Sequence, residues 1–172
     1  PGAQLNGSGL YKLNGGSVTA NANLTVTNLD LVNGGSTLDG TGAVAVASLM
    51  NWTAGAMGGR GRTIIAPGAT LNAAIPSQVN LVTRTLENGG TVLWTNGAIA
   101  LNNALITNRP GALFHALGAG QIGNLGGSPR VDNAGTFRKS ASTGTSTIAS
   151  GLNFTNYGTV EVQSGTLLFN GV

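Results

Sequence analysis

Cysteine is absent from this chain, and charged and aromatic residues are scarce. Only 8% of the 172 residues are Asp, Glu, Lys or Arg, against about 25% in ordinary globular domains, and aromatics make up 5%. Without cysteine, disulfide scaffolds and cysteine zinc sites are excluded. No run approaches the roughly 18 apolar residues of a membrane-spanning helix, so we expect no membrane insertion. An apolar fraction of 41% is also unlike a disordered tail.

The small excess of positive charge does not indicate a nucleic-acid partner. The net charge is +3 from eight basic residues. These residues are dispersed, with pairs only at Arg60 and Arg62 and at Arg138 and Lys139, and neither pair is interleaved with aromatics. Affinity for nucleic acid grows with the number of phosphates neutralised. We therefore expect no nucleic-acid binding and take these residues as solvated surface positions.

The abundant residues are Gly, Asn, Thr and Ser, and they recur in one phrase. The phrase reads apolar, any residue, Asn, one or two small residues, Gly, Thr or Ala, then apolar. Its copies centre on Asn88, Asn108, Asn133 and Asn156, with a shifted copy at Asn33. The last four asparagines are about 20, 25 and 23 residues apart, which is a period typical of solenoid repeats.

Between these phrases the sequence alternates with a period of two. Val160 and Val162, for example, alternate with Glu161 and Gln163. Short alternating runs bounded by Gly and Asn predict strands, and no segment carries a helical stripe of useful length. Strands this short could form a sandwich of hairpins, because Asn-Gly pairs suit tight turns. Recurrence of one phrase at every coil favours a parallel β-solenoid instead.

The sequence therefore predicts an all-β fold, a parallel β-helix of roughly seven irregular turns. We expect one solenoid segment over 1–172, with residues 118–129 leaving the coil as a Gly-rich loop. The repeat pattern continues through residues 154–172 without the polar closing unit that stacked repeats need. This indicates a fragment of a longer chain.

Several stretches resemble the β-solenoid repeat regions of very large secreted bacterial proteins, such as autotransporter passengers and filamentous adhesins. They are residues 86–95, 105–108 and 154–162 together with 164–167. The resemblance implies a right-handed parallel β-helix in an extracellular or cell-surface setting. It transfers no catalytic or binding residue to this chain. The expected function is a non-enzymatic structural or adhesive rod, whose partners are further copies of itself or surface glycans.

The most regular polar feature is the asparagine column, which comprises Asn33, Asn88, Asn108, Asn133 and Asn156. Stacked amides one turn apart can hydrogen-bond along the coil axis, as in asparagine ladders, and can cap corner backbone groups. The functional alternative is a surface of amides that binds sugars. We expect the structural role.

Candidate catalytic groups are few. Stacking of the phrases would place Glu87, Thr107 and Asp132 in one column, with the carboxylates two turns and about 10 Å apart. Inverting glycosidases separate two carboxyls by about 6.5–9.5 Å, so a carbohydrate-cleaving or carbohydrate-binding β-helix is the alternative. The lone His115 has no evident catalytic or metal partner and is expected to be an ordinary residue. We expect no cofactor and no metal site.

Two further alternatives concern the outer surface. A regular array of Thr-x-Thr pairs would indicate an ice-binding face, but such pairs occur only at residues 25/27, 83/85 and 143/145/147. Open coil ends could template further turns, so a self-assembling filament subunit is the other alternative. An exposed row of Trp52, Trp94, Tyr11 and Tyr157 could stack on sugar rings, although packing in the core or at corners is the expected role.

Overall fold

The computed structural model describes residue 5 and residues 7–171, and these form strands and turns without a helix. Residues 1–4, 6 and 172, which belong to the predicted solenoid segment, lie outside the described residues. The strands of the described part are β1 (Leu10–Leu13), β2 (Gly16–Thr19), β3 (Leu24–Leu31), β4 (Ser36–Asp39), β5 (Ala43–Trp52), β6 (Ala56–Met57), β7 (Arg62–Ile65), β8 (Thr70–Val82), β9 (Thr85–Asn88), β10 (Thr91–Asn102), β11 (Leu105–Asn108), β12 (Leu113–Ala116), β13 (Gly120–Gly126), β14 (Arg130–Asn133), β15 (Thr136–Lys139), β16 (Thr145–Ile148), β17 (Asn153–Asn156), β18 (Thr159–Val162) and β19 (Thr166–Phe169).

The strands pair in parallel with the strands one turn before and after them, and they form three faces. Face A runs through the first halves of β3 and β5 and then β7, β9, β11, β14 and β17. Face B runs through β1, the second halves of β3 and β5, the first halves of β8 and β10, and β12, β15 and β18. Face C runs through β2, β4, β6, the second halves of β8 and β10, and β13, β16 and β19.

This arrangement is a parallel β-solenoid of about eight turns. The predicted all-β parallel solenoid is confirmed, with one turn more than the seven expected. The additional turn was missed because the early turns carry only weak copies of the asparagine phrase. At about 4.8 Å per turn, eight turns give a rod roughly 38 Å long. The right-handed sense of the coil stays a prediction.

Alternation along each strand fills the interior of the coil. On face B, the column Met50, Leu71, Val92, Phe114 and Phe137 is fully buried, and each member is in register with the next. Adjacent turns therefore share apolar contacts along the whole axis. The core consists mainly of Leu, Val and Ile, with fewer Ala.

The later turns also carry an aromatic stack. The ring centroids of Phe114 and Phe137 are 4.9 Å apart and nearly parallel, and Trp94 meets Phe114 edge-on at 6.3 Å. Phe137, Phe154 and Phe169 continue the series at 5.5 and 4.9 Å. Aromatic pairs at such distances add about 0.5–1.5 kcal/mol beyond their buried area.

In two of the early turns, the corner between faces C and A requires glycine. A Cβ on Gly42 would overlap the carbonyl oxygen of Ala22 one turn below, and a Cβ on Gly61 would overlap that of Gly42. The amides of Gly42 and Gly61 donate to the carbonyls of Ala20 and Gly40 at 2.8 and 3.0 Å. Successive turns thus approach at this corner more closely than a side chain permits.

The prediction that residues 118–129 form a loop is largely wrong. Residues 120–126 form strand β13, which pairs with β10 on one side and β16 on the other. Glycine is tolerated here because Gly120 lies directly against the Trp94 ring and the Gly97 carbonyl, where a Cβ would not fit. The glycines of this segment therefore reflect close packing against the neighbouring turn and not a loop that leaves the coil.

Candidate functional site

Four of the five predicted asparagines form a continuous ladder at the corner between faces A and B. The Nδ2 of Asn88 donates to the Oδ1 of Asn108 at 2.8 Å, Asn108 donates to Asn133 at 2.7 Å, and Asn133 donates to Asn156 at 2.7 Å. All three bonds point the same way along the axis. The first three side chains are at most 1% exposed, and Asn156 is exposed.

The ladder also holds the backbone of the following turn. Each Nδ2 also donates a second hydrogen bond, at 2.9–3.0 Å, to the carbonyl of the first residue of a face B strand. The three acceptors are the carbonyls of Leu113, Thr136 and Thr159. Buried amides are destabilising unless they are hydrogen-bonded. These amides satisfy their hydrogen-bonding groups by bonding to one another along the axis. The column is therefore internal and is not a surface of amides open to sugars, apart from Asn156.

Asn33 does not belong to this ladder, and the prediction is wrong for this residue. It lies at the corner between faces B and C, where it is exposed and its Oδ1 accepts from the amide of Gly35 at 2.9 Å. Asn88 makes the same local turn with Gly90 at 3.1 Å. In the ladder column, the earlier turns carry Val26, Val46 and Ile65 instead.

The predicted carboxylate column is present in the register. Thr107 pairs with Glu87 on one side and Asp132 on the other. Glu87 is 5% exposed, with Arg62 Nη1 3.1 Å from its Oε2 and Arg109 contacting its Oε1. The Oδ2 of Asp132 lies 2.9 Å from Arg130 Nη2. Each acid thus has its own arginine partner.

Arg84 is a buried charge that sequence reasoning missed. The side chain is 0% exposed, and its guanidinium donates to Thr63 Oγ1 and to the carbonyls of Gly58 and Arg62, each at 2.9 Å. It also reaches the carbonyls of Gly40 and Gly42 at 3.3 Å, two turns away. Burial lowers the pKa of Arg84, and nearby Asp39 opposes that shift. No local motif signals this site, because the partners of Arg84 lie 21 to 44 residues away in the sequence.

Lys139 is a second buried cation that the sequence did not reveal. It occupies an interior column of face B between Ala116 and Val162 and is 0% exposed. Its Nζ donates to the carbonyl of Ser142 at 2.9 Å and approaches that of Ser140 at 3.4 Å. Burial lowers the pKa of Lys139 below its usual value.

The aromatic residues do not form an external row. Trp52 and Trp94 are 0% and 1% exposed, whereas Tyr157 is 73% exposed. Tyr11 packs against the core from a partly buried position. A flat platform for sugar rings is therefore not built from these four side chains.

His115 has a neighbour that the sequence did not reveal. It lies on β12, with Ser140 beside it from the following turn, and the distance from its Nε2 to Ser140 Oγ is 2.6 Å. The two residues are 25 positions apart, so no local motif connects them. Only the pitch of the coil brings them together.

The fold and these columns define the protein as a parallel β-solenoid with an internal asparagine ladder. Comparison with protein-family models, curated proteins and solved structures finds no match to this chain. Among the described residues, none of the elements is a helix that could cross a membrane. The same residues hold no group of three His, Asp or Glu side chains arranged for a metal ion.

Proposed function

We propose that this chain is a non-enzymatic structural and adhesive segment of an extracellular or cell-surface bacterial protein. It serves as a stiff rod that presents an interaction surface. The observation that carries the proposal is the continuity of bonding along the axis, in which the buried ladder of Asn88, Asn108 and Asn133 joins successive turns. A rod of stacked turns resists bending because each turn is bonded and packed on both sides.

The pairing of the acids supports a non-enzymatic role. A glycosidase needs one carboxyl as an acid and one as a base or nucleophile, both open to the scissile bond. Glu87 is enclosed between two arginines, and Asp132 is paired with a third. Carbohydrate cleavage is therefore the lesser alternative.

The outer surface of face B supports the adhesive part of the proposal. Asp30, Asn51 and Asn72 form an outward ladder, in which Asn51 donates to Asp30 at 2.7 Å and Asn72 donates to Asn51 at 3.1 Å. Thr70 and Thr91 are in register beside it. Fixed amides and hydroxyls at one-turn spacing suit hydrogen bonding to the hydroxyls of a glycan, which is the partner class we propose first. A second copy of the chain comes next.

The adhesive role is tested by binding the chain to immobilised glycans. The wild type is compared with an Asn51→Ala/Asn72→Ala double variant and with an Asn33→Ala control on a different corner. We expect retention by the wild type and the control and loss in the double variant. No retention of the wild type overturns the adhesive role, and equal retention of all three chains overturns the assignment of glycan binding to this ladder.

The non-enzymatic role is tested on the same polysaccharides by measuring reducing ends. We expect no release above a heat-unfolded sample. Release of reducing ends that disappears in a Glu87→Gln or Asp132→Asn variant would overturn the proposal in favour of a hydrolase.

The stiffness of the rod is measured by pulling single chains along the axis. We expect Asn108→Ala to reduce this stiffness.

A further inference from the structure

Ser140 and His115 are in hydrogen-bond contact across two adjacent turns. The distance of 2.6 Å between Ser140 Oγ and His115 Nε2 is at the short end of the range for a nucleophile and its base. His115 is in register with Arg138, and Ser140 follows β15 two residues later, so both side chains project from the same surface. Both are partly exposed, which leaves the hydroxyl open to small molecules.

The surroundings of His115 favour its neutral form. Partial burial lowers the pKa of His115, Arg138 lowers it further, Glu161 opposes this shift, and Lys139 adds a smaller lowering. Arg138 is itself paired with Glu161. A neutral imidazole with its proton on Nδ1 leaves Nε2 free to accept the proton of the serine hydroxyl.

The backbone after Ser140 supplies a hydrogen-bond donor. Ala141 has a φ of 65°, a left-handed conformation that non-glycine residues seldom adopt and that recurs at functional sites. The Lys139 ammonium approaches the Ser140 carbonyl from the interior at 3.4 Å. Because a trans peptide directs its N–H opposite its C=O, the Ala141 N–H points away from the interior. No described residue accepts a hydrogen bond from it.

We propose that Ser140 is a nucleophilic serine that takes up an acyl group from small activated esters. His115 is its general base, and the Ala141 N–H donates to the developing oxyanion. Ser140 Oγ bonds to the carbonyl carbon while its proton passes to His115 Nε2. The bond from that carbon to the leaving oxygen breaks, and His115 returns the proton to that oxygen. The products are an ester on Ser140 and an alcohol.

The reaction makes Ser140 an acylation site on a scaffold, which goes beyond the structural role. The structure offers one backbone donor and no carboxylate on His115 Nδ1 among the described contacts, so we expect slow, single acylation and not rapid turnover. A base in contact with its nucleophile contributes about 10²–10⁴-fold in rate. That contribution is what separates Ser140 from other serines of the chain.

The test uses p-nitrophenyl acetate with the folded 172-residue chain, followed by peptide mapping by mass spectrometry. We expect acetyl on Ser140 in the wild type and in Ser150→Ala, a matched exposed serine, and none there in Ser140→Ala. His115→Gln should slow acetylation of Ser140 by about 100-fold. The wild-type rate should rise with pH as His115 loses its proton, with a midpoint below 6.5 because the pKa of His115 is lowered by partial burial.

Three results would overturn the proposal. The first is acetylation of Ser140 no faster than that of Ser150. The second is a His115→Gln rate within tenfold of the wild type. The third is acetyl found on His115 itself with the same reactivity in Ser140→Ala, since the imidazole would then be the nucleophile. Circular dichroism of each variant checks that these surface substitutions leave the strands intact.

Discussion

Truncation of the central ladder residue, Asn108→Ala, tests whether the internal column stabilises the coil. The substitution removes one of the two acceptors of Asn88 Nδ2 and the donor to Asn133 Oδ1. Both of these groups are buried, with 0% exposure of their residues. A buried polar group left without a partner costs about 1–3 kcal/mol. Asn88 Nδ2 keeps the carbonyl of Leu113 at 3.0 Å, whereas Asn133 Oδ1 is left without a donor, so we expect a loss of about 1–3 kcal/mol in the free energy of unfolding.

The chain offers a matched control at the exposed end of the ladder. Asn156→Ala removes the same side chain at the same strand position, but the donor it abandons, Asn133 Nδ2, keeps the carbonyl of Thr159 at 2.9 Å. Water can also reach Asn156, which is exposed. We therefore expect a loss of about 1 kcal/mol or less.

Urea unfolding followed by circular dichroism and by tryptophan fluorescence measures both losses. The two probes must give one transition for a free energy to be assigned, and the buried Trp52 and Trp94 report on the interior. The reasoning is refuted if Asn108→Ala and Asn156→Ala cost the same within about 0.5 kcal/mol, the scatter of ordinary surface substitutions.

Three further predictions follow from other positions. Gly42→Ala should destabilise the chain strongly, because its Cβ would overlap the Ala22 carbonyl, whereas Gly34→Ala meets nothing within 4 Å and should be neutral or slightly stabilising in the same urea assay. Equal losses of stability in Gly42→Ala and Gly34→Ala would contradict the close approach of turns at Gly42. Burial lowers the pKa of Lys139 below its usual 10.5, so the unfolded state binds more protons between the lowered value and 10.5, and the free energy of unfolding should rise with pH through that window. The free energy of unfolding of Lys139→Met should rise less over the same pH window. An identical pH dependence of the variant and the wild type would argue against burial of the ammonium. Finally, Asn33 and Asn88 each precede two glycines, but only the side chain of Asn88 is held in the ladder, so peptide mapping after alkaline incubation should find Asn33 deamidated first. Equal deamidation rates at Asn33 and Asn88 would contradict the view that the ladder restrains the Asn88 side chain.

The repeat phrase was sufficient to predict the fold because its elements are local. Asn and Gly make the same short turn wherever they occur, as Asn33 and Asn88 show by bonding the amide two residues on. The phrase does not reveal which of the three corners it occupies. Asn33 was therefore assigned to a column that it does not join.

The remaining site features depend on contacts between turns, which a linear reading does not show. Arg84 bonds to carbonyls up to 44 residues away, and Ser140 meets His115 across 25 residues. Turn lengths differ along this chain, so the side chains that face one another across turns could not be aligned in advance. The register of Glu87, Thr107 and Asp132 was predictable because all three lie beside phrase asparagines.

The one-way bonding of the ladder makes its turns interchangeable units. Asn108 and Asn133 each receive a hydrogen bond from the asparagine of the preceding turn and give one to the next. A whole turn that carries Asn at this position can therefore be duplicated or deleted without changing what its neighbours bind. Length in such a chain can vary by gene duplication in steps of one coil. The earlier column of Val26, Val46 and Ile65 marks where a different type of unit begins.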